Sequence, residues 1–193
     1  MTLTLPEDAG PQLTGLARQA IAQRLGLGGR PSPHAAGSWA EADGASFVTL
    51  TLAGRLRGCV GSLEAYQPLA DDVIANAQAA AFRDPRFPPL TVAEFAHVTI
   101  EVSVLSAPEP MTVTSEADLL SQLRPGRDGV IFAAGGRRAT FLPQVWEQLP
   151  APADFMAHLR RKAGLPGDYW ADDVRLWRYG VTAFVEPDPT GAA

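Results

Sequence analysis

The chain has 193 residues, 46% apolar and 19% charged, with a net charge of −5 and one cysteine. That length builds one large domain or two small lobes, and the acidic balance argues against a broad electropositive face for nucleic acid. One cysteine excludes an intramolecular disulfide and points to a reducing, cytoplasmic setting, while no apolar run approaches the roughly 18 residues of a membrane-spanning helix.

The N-terminal stretch Met1 to Gly10, with Glu7 and Asp8 and no basic residue, predicts neither a signal peptide nor a transit peptide. Residues 13–25 place Leu13, Leu16, Ala17, Ala20, Ile21 and Leu25 on one helical stripe that ends at Gly26 and Gly28. The aperiodic segment from Gly28 to Gly44 reads as a loop carrying Trp39 as a hydrophobic anchor. In Ser46 to Leu52, Val48, Leu50 and Leu52 alternate with Phe47, Thr49 and Thr51, as a half-buried strand requires. Ala53-Gly54-Arg55 turns the chain into Leu56-Arg57-Gly58-Cys59, which puts the cysteine at the far end of a hairpin.

From Pro68 to Phe82, Leu69, Val73, Ala77, Ala80 and Ala81 mark a helix whose small residues allow close packing on a sheet. The three prolines in Phe82 to Leu90 exclude helix and central strand, leaving a stiff connector, and Thr91 with Glu94 has capping-box spacing. His97 to Leu105 is the clearest strand, Val98, Ile100, Val102 and Val104 alternating with His97, Thr99, Glu101 and Ser103. Ser115 and Asp118 cap a helix through Leu123, and Gly129 to Leu142 reads as a hairpin around Gly135-Gly136. Pro143 opens a short helix, and a longer one after Pro152 turns Phe155, Met156, Leu159 and Ala163 inward, with Arg160, Arg161 and Lys162 in its last turn. Val174 to Tyr179 and Val181 to Val185 read as strands, and the tail from Pro187 as loose. Strands and helices do not alternate regularly, so the expected fold is α+β, an antiparallel sheet flanked by helices in a two-lobed arrangement. The proline-rich breaks suggest a smaller inserted lobe at about 64–124, with the N- and C-terminal segments forming the larger one.

The chemistry concentrates in Leu56-Arg57-Gly58-Cys59-Val60-Gly61-Ser62. Gly58 and Gly61 permit positive φ or close approach of another group, and the Arg57 guanidinium favours a thiolate over a thiol. Cys59 is the candidate nucleophile or covalent carrier, set against the alternative that it packs as a small hydrophobe. Arg57, Arg83 and Arg86, together with Arg55, are candidates to receive an anion if the fold gathers them, and otherwise form a solvated set. Glu101 and Ser103 offer polar groups on one strand face. A thiol nucleophile needs a base nearby, and of His34, His97 and His158 the first choice is His97, on the face of Glu101. No cysteine and histidine, and no two histidines, have metal-ligand spacing, so no metal or other cofactor is expected. There is no G-x-G-x-x-G fingerprint, P-loop or G-x-S-x-G setting.

The strings Leu56-Arg57-Gly58-Cys59-Val60-Gly61, Phe82-Arg83-Asp84-Pro85-Arg86-Phe87-Pro88-Pro89-Leu90 and Ile100-Glu101-Val102-Ser103-Val104-Leu105 together resemble the AMME chromosomal region candidate gene family. Its bacterial and archaeal members are called AmmeMemoRadiSam system protein A. Ala139-Thr140-Phe141-Leu142-Pro143-Gln144-Val145 and Leu159-Arg160-Arg161-Lys162-Ala163-Gly164-Leu165 look like the same family. The resemblance runs from the first helix to Tyr179, so the whole chain, 1–193, is expected to be one AMMECR-type domain. It implies a two-lobed α+β fold and a system in which the protein accompanies a Memo-like protein and a radical S-adenosylmethionine protein. It implies no reaction. Val60 stands where the motif usually has isoleucine, a difference of one methylene. Two readings stay open: a ligand-binding or catalytic site at Cys59 acting on a small molecule or protein, and a non-catalytic adaptor whose rigid connector presents Phe82, Arg83, Arg86 and Phe87 to partners.

Overall fold

The computed structural model describes residues 4–186, apart from the side chain of residue 35. The tail from Pro187 lies outside the described residues. In chain order the elements are α1 (Ala9–Arg24), β1 (Ala45–Leu52), β2 (Arg55–Gly61), α2 (Leu69–Phe82), α3 (Val92–Phe95), β3 (Val98–Leu105) and β4 (Glu109–Pro110). They continue with α4 (Glu116–Gln122), β5 (Gly129–Ala134), β6 (Arg137–Phe141), α5 (Pro152–Lys162), β7 (Arg175–Tyr179) and β8 (Val181–Val185). The fold is α+β with two antiparallel sheets, in the orders β2-β1-β3-β8 and β4-β7-β5-β6.

The chain divides into two compact units, one running to Leu105 and resuming at Thr182, the other spanning Ser106–Val181. The inserted segment is therefore 106–181, where about 64–124 was expected. The proline-rich connector before α3 is no boundary, because its Asp84 and Arg86 side chains are bonded to the Cys59 backbone in β2 of the same unit. The break at Pro108 to Pro110 falls close to the real division.

In the first unit the apolar stripe of α1 and the small-residue face of α2 close over one face of the sheet. Leu13, Ala17 and Ile21 meet Val73, Ala77 and Ala80 and the strand residues Val48, Leu50, Ile100 and Val102, all essentially inaccessible to water. Each large aliphatic side chain so buried contributes about 2 kcal/mol. Helix α1 begins earlier than its periodicity predicts, since Gly10 and Pro11 occupy a first turn whose amides need no intrahelical acceptor. Ala53 and Gly54, at φ +50° and +73°, form the tight turn joining β1 to β2. Thr91 and Glu94 complete the expected capping box at α3.

In the second unit Val130, Phe132 and Leu176 of the sheet pack against Phe155, Met156 and Leu159 of α5. Trp146, from a 3₁₀ turn begun by Pro143, stacks on Phe155 at 3.8 Å between ring centroids. Its indole donates to the Asp128 carbonyl at 2.7 Å. Arg160, in the last turn of α5 as expected, is buried there, donating to Glu116 at 2.7 Å and to the Gly167 carbonyl at 2.8 Å.

Candidate functional site

The antiparallel register decides which motif residues meet. Thr49 of β1 stands opposite Cys59 of β2 and opposite Glu101 of β3, making a row Cys59–Thr49–Glu101 across three strands. The next row is Gly61–Phe47–Ser103. Because directly opposed residues share a sheet face, Cys59, Gly61, Glu101 and Ser103 are gathered on the face turned away from α2. At the usual strand spacing the Cα atoms of Cys59 and Glu101 are about 10 Å apart.

The Thr49 hydroxyl donates to the Cys59 sulfur at 3.4 Å, and Ser103 Oγ donates to Glu101 Oε1 at 3.3 Å. Cys59 is half-buried, and so is Glu101. Thr49 and Phe47 were not named as site residues, although the alternation along β1 had already set them on the face opposite Val48 and Leu50.

The two glycines serve by close approach alone, and neither has a positive φ. A Cβ on Gly58 would stand 2.2 Å from the Ala80 carbonyl oxygen of α2, and one on Gly61 would stand 2.2 Å from the Phe47 ring. Gly58 lets the helix backbone press on the strand. Gly61 leaves its place on the far face to an aromatic ring.

Strand β2 is a sheet edge, and the connector covers it at the cysteine. Asp84, buried, accepts the Cys59 amide N–H at 2.9 Å, while Arg86 Nη2 donates to the Cys59 carbonyl at 3.3 Å. Arg86 also grips Asp84 through Nε at 2.9 Å and Nη2 at 2.6 Å. Those side-chain hydrogen bonds from Arg86, with the Cys59 amide, hold the Asp84 carboxyl well below the usual carboxylate range against the opposing effect of burial. The same contact raises Arg86.

Arg57 takes a different part from the one its position suggests. A register shift beside Leu50 and Thr51 leaves it as the bulged residue of β2. It is buried and donates to Glu94 through Nε at 2.8 Å and Nη2 at 3.2 Å, with the Pro89 carbonyl 3.4 Å from Nη2. Hydrogen bonds from Arg57 and Thr91 lower Glu94 to about 2. The guanidinium bonded to the cysteine's main chain is therefore that of Arg86. The four arginines do not form one open cluster: Arg57 and Arg86 each hold a carboxylate, while Arg55 and Arg83 are exposed. Phe82 packs against the core, and Phe87 is half-buried with Arg57 and Arg86 at 5.9 and 5.5 Å from its ring centroid. His97 is exposed before the start of β3, about 13 Å along the strand from Glu101 at the usual rise.

A second carboxylate, unnoticed in the sequence, secures the other end of the motif. Asp72, in the first turn of α2 and fully buried, accepts from Ser46 N at 2.8 Å, Ser46 Oγ at 2.7 Å and Asn76 Nδ2 at 2.9 Å. Its other oxygen accepts from Ser62 Oγ at 2.6 Å and Gln67 Nε2 at 3.1 Å. The available signal was Asn76 one turn after Asp72, both on the small-residue face of α2. Among the described residues no group of three or more histidine, cysteine or acidic side chains is disposed to hold a metal ion, and no helix is long and apolar enough to cross a membrane.

Residues 14–184 match the family described as AMMECR1. A protein of Methanothermobacter thermautotrophicus is 40% identical over 185 residues, covering 94% of this chain and 96% of that protein. Protein Ta0236 of Thermoplasma acidophilum is 37% identical over 187 residues, covering 95% and 90%. The crystal structure of the uncharacterized protein PH0010 from Pyrococcus horikoshii superposes with a TM-score of 0.82 at 32% identity, covering 97% of this chain and 96% of that one.

Proposed function

We propose that this chain, which belongs to the AMMECR1 family, uses the sheet face around Cys59 as a thiol-centred ligand site. The observation that carries the reading is the environment of one residue: a half-buried sulfur that accepts a hydroxyl hydrogen bond from Thr49, on a backbone clamped from outside by Asp84 and Arg86. A sulfur held at a fixed place, with a donor aimed at it, is arranged to meet an electrophilic or polar group of a ligand. Glu101, across Thr49, supplies the carboxyl that takes or returns a proton on that face, with Ser103 orienting it. Acting in a reducing cytoplasm beside a Memo-like protein and a radical S-adenosylmethionine protein, the site would modify a small molecule or a protein.

Two measurements test this. Iodoacetamide should modify Cys59 in the native fold, and Thr49→Val should change that rate while the protein stays folded. Cys59→Ser should abolish activity in the complete partner system. An unmodified thiol in the native state together with a fully active Cys59→Ser variant would overturn the reading.

The adaptor reading keeps one observation in its favour. Immediately after the motif, Leu63 and Tyr66 are exposed, Tyr66 at 67%. Partner recovery that survives Cys59→Ser but fails with Leu63→Ser/Tyr66→Ser would favour it.

A further inference from the structure

The helical layer of the first unit holds a cleft that the cysteine face does not use. Helical spacing sets Asp71, Ile74 and Gln78 in one row on α2, three and four residues apart. All three line a cavity of about 320 Å³, closed on its other sides by Gln23 of α1 and by Arg30, Pro31 and Pro33 of the loop that follows it. That volume is at the small end of the range for small-molecule sites.

The walls are fixed by packing that also builds the fold. Pro31 is buried, and Pro33 opens a 3₁₀ turn, Pro33–Ala36, whose Ala36 packs with Leu16 of α1 and Ala70 of α2. Arg30 directly precedes Pro31, which biases its backbone to an extended conformation. Gln78 Nε2 donates to the Ala20 carbonyl at 3.4 Å, which orients that amide and leaves its oxygen as an acceptor. Gln23, half-buried, brings a second amide.

Two opposite charges line this cleft without meeting. Asp71 and Arg30 are both exposed, and among the described residues neither side chain has a hydrogen-bond or ion-pair partner. Asp72, one residue on, spends its carboxylate inside the fold; Asp71 has no such task. The lining is neutral overall, with a cationic and an anionic pole beside the apolar surface of Ile74, Pro31 and Pro33. A simple anion on Arg30 leaves Asp71 without a partner, and a simple cation on Asp71 leaves Arg30 without one. A molecule carrying both charges a few bonds apart satisfies the two poles together.

We propose that this cleft binds a free α-amino acid with an aliphatic side chain. Its carboxylate takes the forked donors of Arg30, its ammonium donates to Asp71 and to Gln78 Oε1, and its side chain packs on Ile74 and Pro33.

The test is titration of the full-length ¹⁵N-labelled protein with L-leucine, against sodium chloride at matched ionic strength, followed through the side-chain amide signals of Gln23 and Gln78. Those signals should trace a saturating curve in the low millimolar range with leucine and not with chloride. N-acetyl-L-leucine, which lacks the ammonium, L-leucinamide, which lacks the carboxylate, and glycine, which has nothing to set on Ile74, should each bind about tenfold more weakly. Arg30→Gln and Asp71→Asn, both at exposed positions and with their folds checked by thermal melting, should each weaken leucine binding about tenfold. Shifts that fail to saturate by roughly 20 mM leucine, that chloride reproduces, that N-acetyl-L-leucine, L-leucinamide or glycine matches, or that survive both substitutions would overturn the proposal.

Discussion

Two buried aspartates secure the motif strand, and they do so by opposite means. Asp84 grips the strand at Cys59 from the connector and is paired with Arg86, whose side chain is 53% exposed. Asp72 reaches Ser62 and Ser46 from inside α2 and accepts from five neutral donors, with no cation bonded to it among the described residues. Charge pairing at a surface is screened by salt, whereas hydrogen bonds from a sealed set of neutral donors are screened far less. The segment from Cys59 to Ser62 thus lies between a tunable clamp and a fixed one.

The largest effect that would sharpen this contrast is at the sealed end. Asp72→Ala strands the Ser46 amide away from water and takes one of several acceptors from Asn76, and it should cost about 3 kcal/mol in urea denaturation, independent of ionic strength. Asp84→Asn removes the partner of Arg86 but leaves that guanidinium in solvent, so it should cost about 2 kcal/mol, with the loss shrinking in high salt. An equal salt dependence for the two variants would break the comparison.

Glu94 and Arg57 extend the tunable side. The ordinary value for Glu94 is 4.5 and the folded value about 2, so its pairing adds stability above pH 4.5 that disappears as pH falls towards 2. Glu94→Gln should therefore be less stable than the parent by about 2 kcal/mol at neutral pH, and the gap should close on acidification. A gap that stays constant from pH 6 to pH 2.5 would show that the pairing with Arg57 does not act through charge. The smallest change expected is that of Thr49→Val, which removes one hydroxyl donor to sulfur and should cost less than about 1 kcal/mol.

The strands, the connector and the cap were legible because each rests on neighbours a few residues away. Alternation in 98–105, prolines at 85, 88 and 89, and Thr91 spaced three residues from Glu94 act locally, and the structure realises all of them. The motif glycines were legible only as places of permissiveness. That Gly58 admits the Ala80 carbonyl, and Gly61 the Phe47 ring, depends on partners 22 residues later and 14 earlier in the numbering. Arg57 misled for a related reason. Its separation of two residues from Cys59 suggested a shared face, but the bulge turned its guanidinium to Glu94.

Periodicity, turn residues and caps along the chain were enough to establish the α+β class, most element positions and the segment in which chemistry concentrates, since those preferences act over one turn or one pleat. Which arginine reaches Cys59, that Thr49 stands between it and Glu101, that Arg160 is buried, and that the inserted unit begins after Leu105 were decided by strand register and packing. Those contacts join residues tens of positions apart, where spacing along the chain carries no information about distance in space.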